Sequence, residues 1–166
     1  MTRTRSILLV FILIGPGPAM AAWTTRAPEE SGLDPVAYIA NDAGQRAEVF
    51  LVDGDIVYLR LVLGEGFETF AESSCPTFQI DKRIPMHHFA VGQRCAIAAK
   101  NATIQLGKIV DREIESLVLH RFMNGNRVTF RYTIHNGQYR EASFSLRSSK
   151  QALLHAIGAD SRVLVD

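Results

Sequence analysis

The residues most capable of chemistry lie in one short segment, Asp81–Phe89, which mixes cations, a thioether, imidazoles and an aromatic ring. His87 and His88 are the side chains there that could ligate a metal ion. Neighbouring residues on a strand point to opposite faces of the sheet, so these two imidazoles do not easily chelate one ion. A carboxylate such as Asp81 would also have to complete the site from a neighbouring strand. We therefore predict no metal site in this chain.

The same segment is the best candidate for a binding loop, because loops held by a rigid scaffold often carry binding surfaces. It lies between Cys75 and Cys95, the two cysteines of the chain. The candidate binding residues are Lys82, Arg83, Met86, His87, His88 and Phe89. A structural interpretation stays open, in which Pro85 interrupts an edge strand and the two cations disfavour pairing with another chain.

The sequence offers no recognisable catalytic constellation. It has no Gly-x-Ser-x-Gly or Ser-x-x-Lys motif for a serine nucleophile, no His-Glu-x-x-His zinc motif and no glycine-rich phosphate loop. Glu113 and His120 could share one face of a helix, although such a pair is more often a solvated polar face. We predict no catalytic residue and no cofactor.

The N-terminal residues have the pattern of a secretory signal peptide. Arg3 and Arg5 precede an apolar run at residues 7–14, and small residues follow up to Ala22. The run is much shorter than the roughly 20 residues that a membrane-spanning helix needs. We predict cleavage after Ala21 or Ala22 and a periplasmic mature protein with no stable membrane insertion.

Export changes how the cysteines and the charge are interpreted. In an oxidising compartment a single pair of cysteines is typical of one structural disulfide, here Cys75–Cys95. Closing a loop of about 20 residues stabilises a fold by roughly 3 kcal/mol. Removing the two leader arginines changes the net charge from +1 to −1, because 18 Lys and Arg oppose 17 Asp and Glu in the whole chain. This near-neutral balance argues against nucleic-acid binding.

The mature chain has the size of one domain. We divide the sequence into a signal peptide at residues 1–21, an N-terminal arm and first element at 22–46, and a single disulfide-braced domain at 47–166. The polar composition of residues 23–32 predicts a loose arm. Residues 36–40 could form either a short helix or an edge strand.

Two hairpins are predicted by alternating apolar and polar residues around three-residue loops. The loop at residues 53–55 pairs three apolar positions and sets Glu48 opposite Arg60; the apolar pairs are Ala47–Leu61, Val49–Leu59 and Leu51–Val57. The loop at residues 135–137 has Gly137 in the left-handed position. Its predicted pairs are Val128–Phe144 and Phe130–Ala142 on one face, and Thr129–Ser143 and Arg131–Glu141 on the other.

One helix is expected before the second hairpin and another after it. The first is predicted to begin at Asp111 and end at Gly125, with Ile114, Leu117, Val118 and Phe122 as its apolar stripe. The second opens with a capping box of Ser148 and Gln151 and ends at Gly158. Three or four further strands are expected between residues 67 and 110, and a last one near 162–165. The fold class is α+β: predominantly antiparallel β-sheet with two short helices near the C-terminus.

The segment Phe144–Leu153 has a strand-to-helix order similar to the C-terminal element of the invasion-associated locus B family of small exported bacterial proteins. The helix–strand order from Ser116 to Ile134 is similar too. That family has a C-terminal serine-leucine-lysine-glycine-phenylalanine pattern, from which this chain departs at Arg147 and at residues 148–149. The resemblance covers about the last third of the mature chain. It implies a periplasmic β-rich protein with no catalytic residues to carry over.

These observations favour a noncatalytic binding or interaction module of the cell envelope. Its partner would be another envelope protein or a small ligand, bound through the sheet surface or through the loop between residues 75 and 95. The alternative is a small envelope hydrolase or a metal-dependent enzyme that uses His87, His88 or His120. The oligomeric state is not predicted by the sequence.

Overall fold

The computed structural model describes residues 21–27, 35–87 and 94–165. The predicted signal peptide therefore lies outside the described residues, apart from Ala21, and so do the candidate binding residues His88 and Phe89. The described residues form a mostly antiparallel β structure with two helices, which confirms this part of the predicted fold class.

The elements are numbered in chain order over the described residues. The strands are β1 (Thr24–Arg26), β2 (Val36–Ala40), β3 (Arg46–Val52), β4 (Ile56–Val62), β5 (Thr77–Ile80), β6 (Cys95–Ile97), β7 (Asn101–Lys108), β8 (Glu113–Glu115), β9 (Arg127–Thr133), β10 (Tyr139–Ser145) and β11 (Arg162–Leu164), and the helices are α1 (Leu117–Asn124) and α2 (Ser149–Ile157). A six-stranded sheet has the order β1-β2-β3-β4-β7-β6, and a three-stranded sheet has the order β10-β9-β5. β8 and β11 form a parallel pair.

Both predicted hairpins form in the predicted register. Glu48 lies opposite Arg60 in the β3–β4 pair, and the three predicted apolar pairs are also present. In the β9–β10 pair Arg131 lies opposite Glu141, and Gly137 adopts a φ of 81°. Each register is fixed because a shift by one residue would turn every apolar side chain away from the core.

The first residues of the described fold are not the loose arm that the sequence predicted. Trp23 is buried, and its indole Nε1 donates a hydrogen bond of 2.8 Å to the carbonyl oxygen of Ser145. Residues 24–26 then form β1, and residues 36–40 form strand β2 rather than a helix. The arm was mispredicted because its anchor is a partner 122 residues away in sequence.

The prediction that the first helix begins at Asp111 is wrong. Asp111 and Arg112 both have positive φ, and residues 113–115 form β8, which pairs with β11. α1 starts only after Ser116, whose hydroxyl accepts a hydrogen bond from the backbone N–H of Leu119. It ends at Gly125, as predicted.

The second helix buries one face in the core, but it lacks the predicted capping box. Ser148 lies in the left-handed region with a φ of 63°, and its side chain makes no capping hydrogen bond. The helix is anchored instead by Ser149, whose buried hydroxyl donates to the carbonyl oxygen of Phe122 at 2.7 Å. α2 ends at Gly158, as predicted.

One hydrophobic core joins the two larger sheets and both helices. Aromatic rings connect the layers: Phe122 of α1 contacts Trp23 and Phe130, and Phe130 contacts Phe78 and Phe144. Large apolar rings that fill such a core contribute most of the driving force for folding. Because α1 packs into this core, its outer face is held at a fixed position beside β5.

Candidate binding site

The predicted disulfide between Cys75 and Cys95 is present and joins the edges of the two larger sheets. Cys75 lies just before β5, an outer strand of the three-stranded sheet, and Cys95 begins β6, an outer strand of the six-stranded sheet. The two Cα atoms are 6.5 Å apart. The bond therefore fixes both ends of the segment that carries the candidate binding residues.

The turn at residues 81–85, which we call the cationic turn, is held from two sides. Phe78 and Met86 exchange two backbone hydrogen bonds of 3.0 and 2.8 Å across its base. Asp81 has a φ of 55°, a conformation that aspartate tolerates better than most residues. Its Oδ1 accepts hydrogen bonds from the backbone N–H groups of Asn126 and Arg127. The turn is thus a fixed projection of the scaffold.

The candidate residues divide into exposed and buried members. Lys82 and Arg83 are exposed on the cationic turn, and Ile84 beside them is 85% exposed. Met86 is buried in the core, so it is not the surface contact that the sequence predicted. His87 is half-buried.

Pro85 does not interrupt an edge strand, as the structural interpretation of the sequence predicted, because β5 ends before it at Ile80. Pro85 is the last residue of the cationic turn, and the next residue, Met86, pairs back onto Phe78 as an isolated bridge. The segment after β5 therefore reverses direction and covers part of the outer edge of β5. Lys82 and Arg83 lie on the turn of this reversal.

Arg121 of α1 lies against the base of the cationic turn. Its Nη1 donates to the sulfur of Met86 at 3.0 Å. Its Nε is buried and has no hydrogen-bond partner among the described residues. A thioether sulfur is a weak acceptor, so the guanidinium group is poorly satisfied for a group that carries a full charge.

Gly125 allows α1 to approach the β5 strand closely enough to place Arg121 there. A Cβ atom on Gly125 would lie 2.6 Å from Cγ2 of Ile80 and 2.9 Å from the carbonyl oxygen of Arg121. Both distances are too short for real carbon contacts, so a larger residue would push the end of α1 away from β5. The glycine predicted as a helix stop therefore also sets the spacing of the site.

A cleft of about 280 Å³ lies between the cationic turn and α1. We call it the turn–helix cleft. Its lining includes Asp81, Arg83, Leu117, His120, Arg121 and Val165. The guanidinium groups of Arg83 and Arg121 line the cleft together with the carboxylate of Asp81. That carboxylate already accepts two backbone hydrogen bonds. Among the described residues of the lining, two arginines and one aspartate leave an excess of one cation, which suits an anionic group.

The four histidines that the structure describes lie on separate parts of the fold. His120 lines the turn–helix cleft, whereas Glu113 lies on β8 and its carboxylate pairs with Arg162 at 2.7 Å. The proposed shared helix face of Glu113 and His120 is therefore wrong, because α1 begins after both Glu113 and Ser116. Over the parts of the chain that the structure describes, no three His, Cys, Asp or Glu residues are grouped to hold a metal ion.

The outer face of the six-stranded sheet is the other predicted binding surface. Its polar side chains bind one another. Glu48 is only 1% exposed, and its Oε2 accepts hydrogen bonds of 2.8 and 2.6 Å from Nε and Nη2 of Arg60. The Arg60 guanidinium lies over the Phe50 ring, 4.7 Å from the ring centroid, and Phe50 stacks on Tyr58. These polar groups are occupied by one another.

Tyr132 is the described residue whose pKa departs from its ordinary value. Burial raises the pKa of its hydroxyl, and the nearby Glu68 carboxylate raises it further, while Arg140 opposes the shift. The hydroxyl accepts a hydrogen bond of 2.7 Å from Nε2 of Gln45. This contact links the turn after β2 to β9, and it is a structural link between the two larger sheets.

Arg121 and the turn–helix cleft were missed at the level of sequence. The available signal was a cation inside a predicted amphipathic helix, next to His120 and directly before Phe122 of the apolar stripe. That position is ordinary for a solvated arginine near a helix C-terminus, where a positive charge is favourable. Only the tertiary contact with Met86 shows that Arg121 faces the cationic turn.

No protein-family model matches this chain, and neither a curated protein nor a solved structure matches it. Among the described residues no helix has the length and apolar character that crossing a membrane requires.

Proposed function

We propose that this chain is an exported, periplasmic, noncatalytic interaction module that binds another envelope protein through the cationic turn. Export is supported by the basic and apolar pattern of residues 3–14 and by the small residues before Trp23. The Cys75–Cys95 bond is in keeping with an oxidising compartment. The resemblance to the invasion-associated locus B family is part of the same proposal.

The observation that carries the proposal is the exposure of the cationic turn on a rigid base. Two cations and an 85% exposed isoleucine project from a turn that Asp81 and the Phe78–Met86 bridge hold in place. A preorganised turn loses little conformational freedom on binding, which favours affinity. The two cations suit an acidic partner surface, and Ile84 provides an apolar contact for its centre.

A comparison of captured proteins tests this function. The mature protein is purified from the periplasm, immobilised and incubated with periplasmic extract of the same cells. A Lys82→Ala/Ile84→Ala variant removes one charge and the apolar tip, and it leaves Arg83 and the turn–helix cleft intact. The matched control is Lys150→Ala/Phe67→Ala, which removes one exposed cation and one fully exposed apolar side chain elsewhere.

We expect one or more envelope proteins to be captured by the wild type and the control, and to be reduced at least tenfold with the turn variant. Interface residues with large effects typically cost about 1.4 kcal/mol or more on truncation, which corresponds to that factor. Identical captured proteins for all three baits would show that the cationic turn is not the interaction surface.

A further inference from the structure

We propose that the turn–helix cleft binds the carboxylate group of a ligand whose adjoining part is apolar. This inference rests on the proposal that the chain is a binding protein, and it names the ligand chemistry that one of its sites accepts. The cleft lies beside the cationic turn, and Arg83 lines it.

The first argument is the hydrogen bonding of Arg121. Among the described residues, its Nη1 donates to the sulfur of Met86, a weak acceptor, and its buried Nε has no partner. A buried donor without a partner is costly, and native structures pair most such groups. A carboxylate in the cleft would give the guanidinium group a charged acceptor in addition to the weak thioether sulfur.

The second argument is the balance of charge around the cleft. Arg83 and Arg121 face Asp81, whose Oδ1 is already engaged by the backbone N–H groups of Asn126 and Arg127. The one excess cation among the described lining residues would be neutralised by a single carboxylate. A phosphate with about two charges would exceed it at neutral pH.

The end of α1 does not oppose an anion there as strongly as a bare helix C-terminus would. The carbonyl oxygen of Arg121 accepts a hydrogen bond from Gly125 N, and that of His120 accepts one from Nδ2 of Asn124. These oxygens are therefore satisfied within the protein. Their partial negative charge is less available to repel a ligand.

The remaining wall of the cleft supplies apolar contact. Leu117 and Val165 are 42% and 43% exposed, and both line the cleft together with buried Ile80. A volume of about 280 Å³ lies near the lower end of the roughly 300–1,000 Å³ typical of ligand pockets. It suits a short apolar chain or one apolar residue attached to the carboxylate.

Two probes distinguish a free organic acid from the end of a peptide. Octanoate represents the first, and acetyl-Gly-Leu with a free carboxylate represents the second. The uncharged controls are octanamide and acetyl-Gly-leucinamide. Each is titrated into the isotope-labelled mature protein, with the backbone amide signals of Arg83, Leu117 and Arg121 as the readout.

We expect saturable shifts at these three signals with at least one of the two acids and none with its amide. Arg121→Met should weaken that binding at least tenfold, because a charge-assisted contact is lost. Arg83→Gln, on the exposed turn, should weaken it by about threefold and cannot fail through misfolding of the core. The tighter of the two acids identifies the source of the carboxylate.

The proposal is overturned if both acids give no saturable shifts, or if acids and amides shift the same signals equally. It is also overturned if Arg83→Gln and a folded Arg121→Met bind the acids as the wild type does. Lys82→Ala/Ile84→Ala should keep full carboxylate binding, because neither residue lines the cleft. Loss of protein capture by that variant with retained carboxylate binding separates the two proposals experimentally.

Discussion

Arg60 on the large sheet and Arg121 on α1 are both half-buried arginines, but their surroundings differ in almost every respect. Arg60 donates two hydrogen bonds to the buried Glu48 carboxylate and stacks on Phe50. Arg121 contacts the sulfur of Met86, and its Nε has no partner among the described residues. The first arginine completes its interactions within the fold, whereas the second leaves them incomplete.

This difference separates a structural cation from a candidate binding cation. The Glu48–Arg60 pair lies across β3 and β4, where it fixes the register and covers the outer sheet face. Arg121 lies in a cleft with room for a small ligand and faces an exposed cationic turn. We therefore propose Arg121 as a binding residue because its hydrogen bonding is incomplete, and not because of its charge alone.

Removal of Glu48 should have the largest effect on stability. Glu48→Ala leaves Arg60 and Arg46 without their shared carboxylate and opens a space on the sheet. We expect a loss of about 2 kcal/mol in the free energy of unfolding, somewhat below the cost of breaking a fully buried pair. Urea denaturation of the mature protein measures this change.

Glu141→Ala is the matched control, because Glu141 also faces an arginine across a hairpin but is half exposed. Its carboxylate lies 2.7 Å from Nε of Arg131. Exposed pairs of this kind contribute less than about 1 kcal/mol. Equal losses for Glu48→Ala and Glu141→Ala would remove the distinction between the buried pair and the surface pair.

Tyr132 should have an intermediate, pH-dependent effect. Because burial raises its pKa in the folded state, the folded protein keeps the phenolic proton at pH values where the unfolded chain loses it. The contribution of Tyr132 to the free energy of unfolding is therefore fully present below a pH of about 10, and it decreases as the pH rises further. Tyr132→Phe should cost about 1 kcal/mol at pH 7, through loss of the hydrogen bond from Gln45.

The pH series compares the free energies of unfolding of wild type and Tyr132→Phe between pH 7 and pH 11. The advantage of the wild type should shrink as the pH passes about 10. A difference that stays constant across this range would show that Tyr132 ionises equally in the folded and unfolded states.

The two hairpins could be predicted in full because their determinants are local. The loops at residues 53–55 and 135–137 set the turn length, and the alternation on either side allows one register. The Glu48–Arg60 and Arg131–Glu141 pairs follow directly from the turn length and this alternation. Cys75 and Cys95 were equally predictable, since the sequence contains just these two cysteines.

The errors occur where distant partners override local preference. Residues 113–115 join β11 as a strand although their acids suit a helix start, and Trp23 is anchored by Ser145. The turn–helix cleft depends on the same kind of contact, between Arg121 and Met86. Sequence patterns identified Lys82 and Arg83 as candidates, but they contained no signal for the helix that faces them.

The most direct test of the contrast between the two arginines is the free energy of unfolding of Arg60→Met and Arg121→Met, measured side by side without ligand. Arg60→Met should lose about 2 kcal/mol, because buried Glu48 loses its main partner. Arg121→Met should stay within about 0.5 kcal/mol of the wild type, since removing a poorly satisfied cation offsets the loss of its favourable helix-terminal charge. A loss for Arg121→Met as large as that for Arg60→Met would contradict the account, because it would make Arg121 a structural residue.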